Sequence, residues 1–110
     1  MAVLVQGPIA INSSVGAPVN ITAKAFARGV AIAEDGSGSA AGLTVTWPNG
    51  TVAEYPPSQQ PIVIGNITGG GVGPLVGVPA NYSAVNSPAT KYCSIVSMGA
   101  ATAVRVTEYS

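Results

Sequence analysis

The chain has 110 residues, four cationic and four acidic side chains, no histidine and one cysteine. Charged residues make up 7%, against about 25% in an ordinary soluble domain. Four scattered cations, Lys24, Arg28, Lys91 and Arg105, make no footprint for a nucleic acid or an anionic membrane surface. Without histidine, imidazole metal sites and imidazole general bases are excluded. The lone Cys93 forms no internal disulfide. The length predicts one domain that buries roughly 60–70% of its unfolded surface and needs no covalent staple.

From the first residue onward the hydrophobic period is two. Val3, Leu4 and Val5 begin a short strand, in an N-terminal segment otherwise expected to be flexible. The opening "MAVLVQGPIAINSS" has no basic region and only a short apolar run. It reads as no signal peptide, and synthesis in a cytoplasm is expected. No run approaches the ~20 apolar residues of a spanning helix, so no membrane partner is expected. Five Asn-x-Ser/Thr sequons, at Asn12, Asn20, Asn49, Asn66 and Asn81, read as chance in a chain rich in these residues.

"PVNITAKAF" (Pro18–Phe26) alternates, with Val19, Ile21, Ala23 and Ala25 on one face. "GVAIAED" from Gly29 is a strand that runs into the small-residue loop "GSGSAAG". Glu34 and Asp35 are adjacent and point to opposite faces of a strand, so they make no glycosidase pair. "EDGSGS" lacks the spaced ligands of a calcium loop.

"LTVTWPNGTVAEY" (Leu43–Tyr55) writes a hairpin. Pro48 and Asn49 suit the centre of a type I turn, and Gly50 supplies the positive φ of the closing bulge. Trp47 and Tyr55 end the two arms, either as a packed cross-strand cluster or as an exposed contact surface. "PPSQQP" then redirects the chain, and Ile62–Ile64 make another strand. "GNITGGGVGPLVGVP" (Gly65–Pro79) is the one low-complexity stretch. It lacks the Gly-Lys-Ser/Thr of a phosphate loop and reads as a surface loop or arm that orders against a neighbour.

"ATKYCSIVSM" and "TAVRVTEY" are two further strands, joined at Gly99–Ala101 as a terminal hairpin. Cys93 falls where a small buried residue fits. Val104 and Val106 point one way, Arg105 and Thr107 the other. Glu54 and Glu108 either converge across a cleft or, as expected, lie on solvated faces paired with Lys or Arg. About eight short strands with Gly, Pro, Asn and Ser turns predict a single all-β domain over residues 1–110, an antiparallel sandwich or a jelly-roll-like barrel. The serines have no base to activate them and no Ser-x-x-Lys arrangement appears. No enzyme and no cofactor are expected.

An almost uncharged, apolar β domain stays soluble most easily when copies or a larger body cover its surface. In overall make-up the chain is similar to the small decoration, or cement, proteins of tailed bacteriophage heads. The likeness rests on a Met-start chain of this length, rich in Ala, Gly, Thr and Val. It includes the final strand "TAVRVTEYS" and a glycine-rich segment before "TKYCSIVSMGAATAVRVTEY". The resemblance implies attachment to the major capsid protein on the outer surface of the virion, as a homo-oligomer with a trimer preferred. It carries no site residue over. Contacts with the capsid or with other copies are expected at Ile67, Val72, Leu75 and Val78 of the glycine-rich arm, and at Trp47 and Tyr55. The alternative is a host- or glycan-binding fibre or adhesin module, which exposed Trp47 and Tyr55 would favour.

Overall fold

A computed structural model describes residues 3–22, 24, 29–35, 41–48, 50–65 and 91–109. Among the described residues eight strands run in chain order: β1 Val3–Ile11, β2 Val19–Thr22, β3 Gly29–Glu34, β4 Leu43–Thr46, β5 Val52–Tyr55, β6 Ile62–Gly65, β7 Lys91–Ser97 and β8 Thr102–Tyr109. The one helical element described is a 3₁₀ turn at Pro57–Gln59. It lies in the Pro-rich stretch where the sequence predicts a change of direction.

The pairing is nested. β1 pairs with β8, β2 with β7, β3 with β6 and β4 with β5, all antiparallel. Rolling that long hairpin over places alternate pairs in opposite sheets. β3 then gains β8 and β4 gains β7 as neighbours. The resulting orders, β1-β8-β3-β6 and β2-β7-β4-β5, are those of a jelly-roll sandwich. For brevity these are sheets A and B.

Period two decides what lies between the sheets. Val30 and Ile32 of β3, Leu43 and Val45 of β4, Cys93 and Ile95 of β7, and Val104 and Val106 of β8 are all inside and fully buried. Each such aliphatic side chain contributes roughly 1.5–3 kcal/mol by leaving water.

Two expectations need correcting. The last two strands are not a hairpin. β7 belongs to sheet B and β8 to sheet A, so Gly99–Ala101 carries the chain across the sandwich. Its neighbours stabilise that crossing: Ser14 N–H donates to the Gly99 carbonyl at 3.0 Å and Ser97 N–H to the Asn12 carbonyl at 2.9 Å. The N-terminal segment is not a short strand on a flexible tail either. It forms the nine-residue β1, with a register shift between Gln6 and Ile9. Gly7 permits that bulge: its φ is +126°, and a Cβ there would sit 2.9 Å from the Val104 carbonyl oxygen. The glycine-rich stretch expected as an arm lies outside the described residues beyond Gly65.

The Trp47–Gly50 turn has the expected form. Gly50 N–H donates to the Trp47 carbonyl at 2.9 Å, Trp47 N–H to the Thr51 carbonyl at 2.8 Å, and Gly50 has φ +90°. A Cβ at Gly50 meets nothing within 4 Å, so a substitution there tests backbone conformation alone. Gly50→Val is expected to destabilise by roughly 1–2 kcal/mol, since a β-branched residue resists positive φ. Urea unfolding measures it, and a wild-type midpoint would refute the left-handed assignment.

Candidate functional site

Among the described residues, three of the four acids, Glu34, Asp35 and Glu108, are engaged in holding the fold. Glu108 is the clearest case. β8 alternates inward through Val104, Val106 and Glu108, and Glu108 is only 2% exposed. Its carboxylate accepts from the Tyr92 hydroxyl at 2.6 Å and from the Gln6 amide at 2.6 Å. It also accepts from the Lys24 backbone N–H at 3.0 and 3.3 Å. Gln6 donates as well to the Thr22 carbonyl. One buried charge thus fastens β1 and β8 of sheet A to β7 and the end of β2 in sheet B. This corrects the expectation of a solvated Glu108 paired with Lys or Arg. Uncharged donors satisfy it, which is how a carboxylate survives burial.

Glu34 does similar work at the exit of β3. It accepts from the backbone N–H groups of Gly42 and Ala41 at 2.9 and 3.3 Å, and from the Gln60 amide at 3.0 Å. Gln60 returns an acceptor to the Glu34 N–H and donates to the Tyr55 carbonyl. Asp35 instead pairs with Arg105 at 2.7 Å on the outer face of sheet A. Glu54 is exposed on β5 and faces away from buried Glu108, so these two carboxylates share no cleft. Among the described residues no three His, Cys, Asp or Glu side chains gather as a metal site would require.

Cys93 is buried. Burial pushes its thiol up from 9.0 to about 12, with Lys91 offsetting part of the rise. Such a thiol is inert at neutral pH.

Trp47 and Tyr55, expected as contact residues, are 1% and 0% exposed. Their rings meet edge-to-face, 6.5 Å between centroids and 85° between planes. The partner-contact expectation for them is corrected: they belong to the core. Leu43, Val45 and Trp47 share the inner face of β4 and its turn, and Ala53, paired with Val45, packs against the same core. Burial raises the Tyr55 pKa, the Trp47 side chain lowers it in part, and Cys93 adds to the rise. Ile67, Val72, Leu75 and Val78 lie outside the described residues.

What remains for function is surface. On the outer face of sheet A, Ala31, Ala33 and Thr107 floor an open trough of about 340 Å³, with Tyr109 at one end and the Arg105–Asp35 pair at the other. Glu34 also lines it, with its carboxylate bonded to Gly42, Ala41 and Gln60, and Asp35 is held by Arg105. Beside the trough the large exposed apolar residues concentrate. Among the described residues five stand out, Val3, Leu4, Val5, Val15 and Val52, and three of them are consecutive on β1. Val3 pairs with Tyr109 and Val5 with Thr107, so these two valines continue the trough's face to the sheet edge. The sequence signal for this patch was an uncharged strand of nine residues, "VLVQGPIAI".

No protein-family model, curated protein or solved structure matches the chain.

The Glu108 cluster predicts strong coupling. Glu108→Leu is expected to cost about 2–4 kcal/mol, by removing the acceptor of several buried donors. Tyr92→Phe should cost less in that background than in the wild type, a non-additivity read from denaturant unfolding; additive losses would show that the two groups act separately. The buried thiol predicts an alkaline limit. Above about pH 9 the unfolded chain's thiol releases its proton, whereas the folded one holds it to about 12. The folded state then binds more protons, so stability falls as pH rises through that window. Raised Tyr55 acts in the same sense. Cys93→Ala should flatten the fall of melting temperature above pH 9, and an unchanged slope would rule the thiol out as a cause.

Proposed function

We propose that this protein is a non-enzymatic structural component that decorates the outside of a tailed-bacteriophage capsid and stabilises it by binding the major capsid protein. The observation that carries the reading is the surface left once the fold is satisfied. Three of the four acids, Glu34, Asp35 and Glu108, are bonded within the domain. The remaining charges are few in a chain with four acids and four cations, and an apolar strand lies open at one sheet edge. Such a surface favours contact with another protein over solvent.

The jelly-roll sandwich suits the role mechanically. One continuous cluster of buried residues holds its two sheets together. Many weak contacts repeated around a shell add into a large resistance to internal pressure. The adhesin alternative drew its support from exposed Trp47 and Tyr55. With both in the core, no observation favours it.

The test compares particles with and without the protein. Purified protein is expected to bind expanded, empty shells and to raise the temperature of heat-induced genome release. Bare particles as robust as decorated ones, or no binding to shells, would refute the role.

A further inference from the structure

The four sheet edges are treated very differently by the sequence. In the described residues the edge strands are β1 and β6 of sheet A, and β2 and β5 of sheet B. An edge strand presents unpaired N–H and C=O groups, and proteins normally blunt it by shortness, charge, proline or a bulge. β2 has four residues and follows Pro18. β6 has four and follows Pro61. β5 has four and carries Glu54. β1 has nine and carries no charge.

Its one protective device is local. The bulge at Gly7 and Pro8 interrupts the register between Gln6 and Ile9, and Pro8 has no N–H to offer. Beyond it Ile9 and Ile11 turn inward, Ile11 fully buried. Before it, Val3, Leu4 and Val5 are 52%, 41% and 52% exposed. Among the described residues this half of β1 is paired on one side only, with Val106–Tyr109 of β8.

We infer that the Val3–Val5 part of β1 is a self-pairing edge: it joins the same strand of a second copy, antiparallel across a two-fold axis centred on Leu4. Three arguments select that occupant and register. Charge favours it, because a strand with no charged residue meets its own copy with no repulsion, and the pairs formed by Val3, Leu4 and Val5 are all apolar. Pleat parity requires it, because a two-fold perpendicular to the sheet keeps outward side chains opposite outward ones only when a residue faces its own copy. The bulge then limits the choice. Centring on Val5 would set Val3 against the other copy's Gly7, inside the bulge. Centring on Leu4 sets Val3 against the other copy's Val5 and leaves Gly7 and Pro8 outside the ladder.

The result is one eight-stranded sheet made from two copies of sheet A, each four-stranded. Val3 and Val5 of both copies then line its outer face, continuous with both troughs. Main-chain hydrogen bonds supply the attraction and the valines supply register, as in other strand additions. Three half-exposed side chains fall well short of the roughly 800 Å² per partner of a standard interface. The contact is therefore reversible and concentration-dependent in solution, and tightens where copies are held side by side. It stands on the strand itself and does not depend on what larger body the protein joins.

Sedimentation velocity from micromolar to millimolar concentration tests it. The wild type is expected to move from monomer to dimer. Val5→Lys should raise the dissociation constant at least about ten-fold, with an unchanged melting temperature in dilute solution, since Val5 is exposed. Cysteine trapping fixes the register. Leu4→Cys should cross-link with its own copy under mild oxidation, whereas Val5→Cys, opposite Val3 and not itself, should cross-link several-fold more slowly. Buried Cys93 does not compete. A wild type that stays monomeric leaves the edge to a strand of another protein and overturns the proposal. So does a dimer indifferent to Val5→Lys, or equal trapping at the two positions.

Discussion

A sandwich of two open sheets must satisfy its backbone at two kinds of place, the crossings between sheets and the sheet edges. Most of this molecule's polar chemistry answers that constraint. At one end the Glu108 carboxylate receives Tyr92, Gln6 and the Lys24 N–H, linking strands of both sheets. Where β3 leaves sheet A for β4 in sheet B, Glu34 receives the N–H groups of Ala41 and Gly42 that open the next strand. Asn12 helps shape the β1–β2 crossing by donating to the Ala17 carbonyl at 2.8 Å. A carboxylate that accepts several N–H or O–H groups substitutes for water at such points, and costs less buried than an unbonded one. Two of the chain's four acids, Glu34 and Glu108, are used in this way.

The strands were legible because they depend on local alternation. Leu43, Val45 and Trp47 share one parity, and all three are buried. Of the two readings open for Trp47, packed cross-strand cluster or contact surface, that parity supports the packed one. Glu108 repeats the lesson. Val104 and Val106 fix the inward parity of β8, and Glu108 continues it. Only the general rule that carboxylates face water pointed outward. Here the rule yields because Tyr92 and Gln6, far away in sequence, bring the donors.

The pairing order was less legible, for a different reason. A local reading joins strands that are close in sequence, and it found β4–β5 correctly through Gly50. It also joined β7 to β8, which belong to opposite sheets. Nested pairing puts β1 beside β8 across nearly the whole chain, and short-range turn chemistry holds no information about that contact. The jelly-roll-like expectation came from strand number and spacing. The specific order rests on which faces fit together once eight strands collapse.

The edge of β1 shows how one residue divides a strand into two kinds of surface. Gly7 adopts φ +126° hard against the Val104 carbonyl, a place where any Cβ would clash and any L residue would be strained. The bulge it permits turns Ile9 and Ile11 toward the core and interrupts the pairing with β8 between Gln6 and Ile9. A strand whose whole edge were a hazard would gain from a charge or an early proline along Val3–Val5, and neither is present. Protection stops where exposure of apolar side chains begins. That boundary is explained if the protected half closes the domain and the open half meets another chain. An edge left bare by chance has no reason to change character at the one residue where the backbone is forced to bend.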